Sequence, residues 1–315
     1  MNQPGALCLL ADYGVLRFSG ADAVKFLQGQ LSNDVTTLGG GTPTGSTPTG
    51  STPTAGTSTG GAPTHGTLLR AGLHNPQGRT LALLALAAAE QGDILALLPL
   101  ELVAAVAAHL RRYLLRSKVA ITDISSELRV LGLPTLTAAA TIPGARVGYG
   151  LAHDTRALLL QSALDAAPPE ATLPREQWRA LDIAAGLPQV YSATSQQFVA
   201  QMLNLDCISA DSFTKGCYTG QEVIARAHYR GRIKRRMQRF ASRVPLALAP
   251  GDSGRLDDGR SFRVVEATSR ADGLCEFLAV ASPNGAPQDA DESGQLPAGG
   301  GIAVSALPLP YALPE

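Results

Sequence analysis

The pattern of predicted helices and strands changes near residue 233, and this change limits the choice of fold more than any other feature of the sequence. Before it, amphipathic helical patterns cover 19–31, 99–116, 174–185 and 221–230. Short apolar strands lie between them, at 81–89, 94–98, 119–124, 128–133 and 157–160. After it, only strand patterns follow, at 237–244, 261–267 and 274–281, separated by Gly, Asp and Pro clusters. This order predicts an α+β chain that ends in an all-β piece, a small barrel.

Residues 39–66 form a low-complexity segment made almost wholly of Gly, Thr, Pro, Ser and Ala. A segment of this composition buries too little apolar area to offset the entropy cost of ordering it. We therefore predict a disordered loop inserted between two structured elements, because tandem repeats expand readily in such loops. A flexible docking tether is the alternative.

The charge and the cysteines exclude several classes of protein. The chain has 26 Lys and Arg and 26 Asp and Glu, so any anionic partner must be recognised by a local patch. Its four cysteines, at 8, 207, 217 and 275, have neither zinc-ligand spacing nor the pattern of a disulfide framework. No signal peptide is recognisable, and the apolar stretch 81–110 is too interrupted by charges and proline for a membrane span. We expect a reduced cytoplasmic protein with no membrane partner.

The octet 215–222, which reads KGCYTGQE, suits a functional thiol. Gly216 and Gly220 let the backbone turn sharply and approach a ligand closely. Cys217 lies two residues from Lys215 and just before a predicted helix N-terminus, and both features lower the pKa of an accessible thiol. The alternative is a small buried side chain, the usual environment of a free cysteine.

A run of basic residues follows the octet. Between residues 223 and 240 there is no acid, and the basic side chains are Arg226, Arg230, Arg232, Lys234, Arg235, Arg236 and Arg239. Glu222, Arg226 and Arg230 form an i, i+4, i+8 stripe in the favourable order. The local excess favours an anionic ligand such as a polyglutamate tail, a carboxylate or an RNA backbone. A solvated helix face is the alternative.

The octet resembles the signature of the YgfZ family, Lys-Gly-Cys-(Tyr or Phe)-x-Gly-Gln-Glu. Further segments are similar to family elements: FLQGQLSND at 26–34, NPQGR at 75–79, QFVAQMLNLD at 197–206, and LPYALP at 309–314, which resembles the closing strand. The chain is thereby identified as a member of the YgfZ branch of the glycine-cleavage T-protein superfamily. The segment 39–66 has no counterpart in the family pattern.

The resemblance implies a T-protein-like ring of α+β subdomains around a central folate-binding channel. Residues 1–240 would form two interleaved subdomains, and 241–315 a C-terminal β-barrel. The implied role is that of a folate-binding accessory protein that supports iron–sulfur cluster assembly or repair and tRNA methylthiolation, using the thiol of Cys217. The implied cofactor is tetrahydrofolate or a derivative, with an iron–sulfur cluster bound only transiently. The implied partners are iron–sulfur enzymes of the tRNA methylthiotransferase type.

The predicted ligand-binding residues lie in the octet, in the helix after it and in two other places along the chain. They are Lys215, Gly216, Tyr218, Gly220, Gln221, Glu222, Arg226 and Arg230, with Gln30, Asn33, Asp34 and Asp182. The cluster at 30–34 either lines the channel or forms a helix C-cap and turn. Asp182 is included because Ala184 replaces the glutamate that holds the pterin in the aminomethyltransferase relatives, and a carboxylate can accept two hydrogen bonds.

Two other functions stay open. The aminomethyltransferase relatives carry a catalytic aspartate a few residues after the turn that corresponds to 75–79, whereas 78–84 contains no acid here. A conventional turnover enzyme is therefore not expected, and a folate-dependent one-carbon transferase is one alternative. A tRNA-binding module that acts through residues 226–239 is the other.

Overall fold

The computed structural model describes residues 6–39, 64–134, 145–150, 156–165, 172–231, 233–283 and 301–314. These residues form three five-stranded sheets with helices packed against them, so the predicted α+β character is confirmed. Most of the predicted insert, 40–63, lies outside the described residues. Within the described part of the chain, no helix is long and apolar enough to cross a membrane.

The first sheet is antiparallel and holds the largest core. Its strands are β2 (Tyr13–Ser19), β4 (Leu69–His74), β5 (Thr80–Ala88), β6 (Ile94–Pro99) and β7 (Ala120–Asp123), in the order β4-β5-β6-β2-β7. Helices α1 (Ala23–Gln28), α2 (Thr36–Gly39) and α3 (Leu100–Arg111) accompany it. Helix α3 packs on β2 and buries Leu102, Val106 and Leu110. The predicted helix 99–116 ends early, and Leu115 adopts a left-handed φ of 45°.

The second sheet is interleaved with the first along the chain. Its strands are β1 (Cys8–Leu9), β3 (Thr64–Thr67), β8 (Leu128–Leu133), β9 (Ala145–Gly150) and β10 (Ala157–Ser162), in the order β1-β8-β10-β9-β3. Strand β3 includes the last three residues of the predicted insert, 64–66, so the expectation of disorder extended too far. Helix α4 (Arg175–Ala184) lays Trp178 on this sheet, where a side chain at Gly132 would lie 2.6 Å from the indole.

The third sheet contains the strand-only region that the sequence predicted. Its strands are β11 (Arg236–Ser242), β12 (Ser253–Arg255), β13 (Ser261–Ser269), β14 (Cys275–Ala281) and β15 (Val304–Leu307), in the order β12-β13-β14-β11-β15. The last strand precedes 309–314, so that segment is not the closing strand that its sequence indicated. The closed barrel and the ring around a channel stay predictions.

The segment between α4 and α5 (Gln221–Arg230) joins the first sheet to the third. A short 3-10 turn at Ala200–Leu203 places Gln201 so that its Nε2 donates to the carbonyl of Ile224 at 2.7 Å. Asn204, with a left-handed φ of 56°, donates from Nδ2 to the carbonyl of Met237 at 2.9 Å. These contacts fix where the octet and α5 begin.

Candidate functional site

The octet forms a turn that presents its cysteine to solvent. Gly216 and Cys217 are exposed, whereas the side chain of Tyr218 turns into the protein. Gly220 has a φ of +84°, and a Cβ there would lie 2.5 Å from the carbonyl oxygen of Asn75. Only glycine satisfies both conditions, because other residues are strained at this φ and would clash with backbone. The sharp turn predicted from the glycines is therefore present.

Lys215 binds the octet to the N-terminal element. Its ammonium donates to the carbonyl oxygens of Gln28 at 2.8 Å, Leu31 at 2.6 Å and Asn33 at 2.8 Å. It also lies 5.2 Å from the ring centre of Tyr218. Burial lowers the pKa of Lys215 to about 8. The three donor positions of the ammonium are thus used to hold the loop after α1 under the octet.

The loop after α1 is further tied to the segment that leads into the octet. Asn33 Nδ2 donates to the carbonyls of Arg70 and Ser209, both at 2.7 Å. The hydroxyl of Ser32 accepts from the N–H of Gly72 at 2.8 Å and donates to the carbonyl of Ala210 at 2.9 Å. The loop after α1 is therefore hydrogen-bonded both to β4 and to residues 209–210, and it holds them together.

Of the remaining candidates in this loop, Asp34 stabilises the local turn, whereas Gln30 leaves a polar atom unpaired within the described part of the chain. Asp34 Oδ1 accepts from the backbone N–H of Thr36 at 3.1 Å and from Gln28 Nε2 at 3.0 Å. The hydroxyl of Thr36 also donates to Asp34. These hydrogen bonds lower the pKa of Asp34, and the largest contribution comes from the Thr36 hydroxyl. Gln30 has a buried Oε1 without a hydrogen-bond partner among the described residues. The predicted role of Gln30, Asn33 and Asp34 in binding a ligand stays a prediction.

The turn at 75–79 packs directly against the octet. Asn75 Oδ1 accepts from the N–H groups of Gln77 and Arg79, both at 3.0 Å, which closes the turn. Gly78 has a φ of +72°, and a Cβ there would lie 3.0 Å from Val223 on α5. Three of the segments that the sequence singled out, 26–34, 75–79 and 215–222, thus meet at one place.

A buried polar cluster lies beneath the octet. Both carboxylate oxygens of Asp211, the hydroxyl of Tyr218 and both ring nitrogens of His74 are shielded from solvent, with no hydrogen-bond partner in the described part of the chain. Burial raises the pKa of Asp211 to about 7 and lowers that of His74 to about 3. Burial and the neighbouring Asp211 raise the pKa of Tyr218 well above its usual range. Sequence patterns missed Asp211 and His74, since neither belongs to a motif that marks chemistry.

Helix α5 has the predicted bounds and the predicted charge stripe. Arg226 pairs with Glu222 at 2.7 Å, and both side chains are more than 70% exposed. Gln221 opens the helix after Gly220, and Arg230 ends it in solvent. An ion pair this exposed contributes at most about 0.5 kcal/mol. Its charges therefore stay available to a ligand.

The basic run is not the acid-free patch that the sequence indicated. Arg236 is buried against Asp206, with a 2.9 Å contact, and Arg239 Nε donates to Glu276 at 2.7 Å. Both acids come from other elements, so tertiary packing neutralises these two arginines. Arg232 lies outside the described residues. Of the basic run, the part that remains exposed is therefore α5 and the residues directly after it.

Asp182 lies apart from the octet, in a small cavity that all three sheets line. Its neighbours in the lining include Tyr13, Leu158, Gln189 and Glu266. The space at its centre is about 20 Å³, enough for about one water molecule. Carboxylate and amide groups provide the acceptors that a pterin ring needs, so the lining has suitable chemistry. The cavity must widen before a pterin enters.

The carboxylates of this cavity already have partners. Asp182 Oδ1 accepts from Arg156 Nη1 at 2.8 Å. Glu266 accepts a short hydrogen bond from the hydroxyl of Tyr191 and another from the N–H of Ala267 at 3.0 Å. Burial raises the pKa of Glu266. A ligand at this place would therefore compete with, or add to, existing hydrogen bonds.

Cys217 differs from the other three cysteines in exposure. Cys8 and Cys275 are buried, and Cys207 is half-buried. Burial, with a smaller contribution from Asp206, raises the pKa of Cys207 to about 11. Among the described residues, no group of three or more His, Cys, Asp or Glu side chains is arranged to hold a metal ion.

The fold is similar to that of a glycine-cleavage T-protein. The crystal structure of glycine cleavage system aminomethyltransferase T from Bartonella henselae matches with a TM-score of 0.56 over 88% of this chain and 78% of that one, at 12% identity. In sequence, the chain is similar to the tRNA-modifying protein YgfZ of Sodalis glossinidius, at 29% identity over 99% of the chain and 94% of the relative. The YgfZ protein of Yersinia pestis is 39% identical over 44% of the chain and 43% of its own length. No protein-family model matches the chain. The resemblance to the YgfZ family predicted from the octet is confirmed.

Proposed function

We propose that the protein is a folate-binding accessory factor that supports iron–sulfur enzymes and tRNA methylthiolation, with the thiol of Cys217 as its working group. The observation that carries the proposal is the exposed Cys217 on a turn whose flanking residues are held in place. Lys215 is fixed by three carbonyls on one side, and Gly220 is fitted against Asn75 on the other. The similarity to proteins named as tRNA-modifying supports the assignment.

The geometry suits a thiol that acts on a partner. A rigid backbone with a solvent-facing sulfur can engage a group on another macromolecule without first unfolding a loop, and exposure is a condition for thiol reactivity. A resident four-cysteine cluster does not fit the described residues, because two of the other cysteines are buried in separate cores. Cys217 would therefore serve as a single ligand or sulfur contact, shared with a client.

Folate would bind in the cavity where the three sheets meet. Asp182 and Gln189 would accept hydrogen bonds from the pterin ring there. A reduced folate supplies a one-carbon acceptor when bound. The fold neighbour is an aminomethyltransferase, but at 12% identity it supports only the fold.

Aminomethyl transfer from folate is the less favoured of the two functions. Residues 80–84 at the start of β5 contain no acid, whereas this chemistry relies on one there in the relatives. A single-turnover experiment with a folate methylene donor tests the alternative. Absence of transfer would end it.

The test of the thiol is complementation of a bacterial strain that lacks its own YgfZ. The fraction of methylthiolated tRNA is measured by mass spectrometry after expression of the wild type, Cys217→Ser or the control Cys207→Ser. We expect Cys217→Ser to fall to the level of the empty strain and Cys207→Ser to retain most of the modification. Full restoration by Cys217→Ser would remove the thiol from the proposal.

The test of folate binding is anaerobic calorimetric titration with tetrahydrofolate. We expect micromolar binding by the wild type and at least about tenfold weaker binding by Asp182→Asn, because a hydrogen bond to a charged group is worth about 1.5–3 kcal/mol. Asp272→Asn, on an exposed hairpin, is the control. Thermal unfolding of each variant shows whether loss of the contact with Arg156 has affected folding. No detectable binding by the folded wild type would leave a thiol factor without folate.

A further inference from the structure

An aromatic cluster forms where two side chains near the end of α5 meet one from the segment before the octet. Phe213 and His228 are stacked with ring centres 3.8 Å apart and planes 15° apart. Tyr229 meets both edge-on, at 4.9 Å from His228 and 6.0 Å from Phe213. These contacts fix the ring of Tyr229, yet Tyr229 is 67% exposed. The folding of the chain thus leaves an oriented aromatic surface in solvent.

Positive charge surrounds this aromatic cluster. Arg226 and Arg230 come from the same helix and are exposed, and Lys234 is exposed just after it. Glu222, the acid of the helix, is 85% exposed and pairs with Arg226 at 2.7 Å. Since an exposed ion pair of this kind is weak, Arg226 can leave the carboxylate of Glu222 and bind a phosphate with little loss of free energy. The surface therefore offers two cations on one stripe of the helix, next to an exposed aromatic ring.

This combination fits one class of ligand best. Aromatic rings stack on unpaired bases, and arginines bind the phosphates that join them. Bases inside an A-form duplex are not available for stacking, so the surface favours single-stranded RNA. We propose that the face formed by Phe213, His228, Tyr229, Arg226 and Arg230 binds an unpaired segment of RNA, with a base stacked on Tyr229. The inference rests on the proposed role in tRNA modification, and it names the part of the RNA that is recognised.

The position of the aromatic cluster relates it to the thiol. Tyr229 lies eight residues after Gln221, the first residue of α5, which is about 12 Å along a helix. Cys217 precedes Gln221 by four residues. The aromatic cluster and the thiol therefore belong to one continuous segment, with Cys217 in the turn before α5 and Tyr229 near the end of the helix.

The experiment measures binding of a fluorescent anticodon stem-loop RNA by anisotropy, with a blunt duplex of the same stem as comparison. We expect Tyr229→Ala to weaken stem-loop binding about 5- to 100-fold, and Tyr229→Phe to bind within about twofold of the wild type. Tyr113→Ala is the matched control, because Tyr113 is also exposed and also contacts a histidine ring. Arg230→Gln is expected to reduce the slope of log affinity against log salt by about 0.7.

Three results would overturn the inference. They are equal binding by wild type and Tyr229→Ala, equal binding of stem-loop and duplex, and no RNA binding by the wild type. If Tyr229→Ala keeps RNA binding but loses binding to a purified tRNA methylthiotransferase, the surface recognises a protein instead, which also overturns it. The proposed function is judged separately, since Cys217→Ser should bind RNA normally and still fail in complementation.

Discussion

Substituting Lys215 with methionine tests whether the octet is held in place by this ammonium. Lys215→Met keeps the length and apolar character of the side chain and removes the donor to Gln28, Leu31 and Asn33. Two of these three hydrogen bonds are buried and one is partly buried. The variant therefore leaves carbonyl oxygens under the octet without a partner.

The expected cost follows from two opposing contributions. Three hydrogen bonds from a charged donor, at about 2 kcal/mol each, stabilise the fold by about 6 kcal/mol. Burial of the ammonium opposes them and lowers its pKa, and taking such an ion out of water costs about 3 kcal/mol. The difference predicts that Lys215→Met lowers the free energy of unfolding by about 3 kcal/mol. For a chain of this size that is a decrease in melting temperature of about 5 °C.

Thermal and urea unfolding at pH 7, followed by circular dichroism, measure this change. Lys25→Met is the matched control, because Lys25 is exposed on α1 and its loss should change stability by less than about 0.5 kcal/mol. A melting temperature for Lys215→Met within 1 °C of the wild type, taken here as about the error of the assay, would refute the reasoning. It would mean that the three hydrogen bonds do not outweigh the desolvation of the ammonium.

Two further predictions concern the same site. Burial raises the pKa of Asp211 to about 7, so the folded protein keeps a proton that the unfolded chain releases above about pH 4, and stability falls as pH rises from 4 to 7. Asp211→Asn removes this titration, so its free energy of unfolding at pH 8 should exceed that of the wild type by up to about 4 kcal/mol. Urea unfolding measured across this pH range tests the prediction. If wild type and variant show the same pH dependence of stability, the reasoning is contradicted. Gly220→Ala should cost at least about 2 kcal/mol, because its Cβ meets the carbonyl of Asn75 at a left-handed φ. Gly216→Ala, with open space around the added carbon, should be nearly neutral, and similar melting temperatures for the two variants would show that the turn can relax.

The secondary structure was largely predictable because it depends on local patterns. The period of apolar residues located α5 at its observed bounds and β5 and β6 to within one residue. Predictions were less accurate at ends set by backbone conformation. The helix predicted over 19–31 is only Ala23–Gln28, bounded by Gly20 with a φ of +111° and by the turn at Gly29.

The candidate site was predictable in part. The glycines of the octet indicated a tight turn, and its cysteine is exposed, as a functional thiol requires. The sequence placed Lys215 beside Cys217 and suggested that its charge acts on the thiol. The structure instead directs its ammonium to carbonyls as far as 187 residues away in the chain. A raised thiolate fraction at Cys217 stays a prediction, which the pH dependence of alkylation measures.

The sequence by itself determined the elements, the turn at the octet and the family resemblance, because periodicity, glycine positions and motif spacing are local properties of the chain. Only the tertiary structure decided which charges are available. It buried Arg236 against Asp206, paired Arg239 with Glu276 and enclosed the carboxylate of Asp211. The physical reason is that desolvation and ion pairing depend on which segments pack together. Residues adjacent in sequence, such as Arg235 and Arg236, can therefore end in different environments.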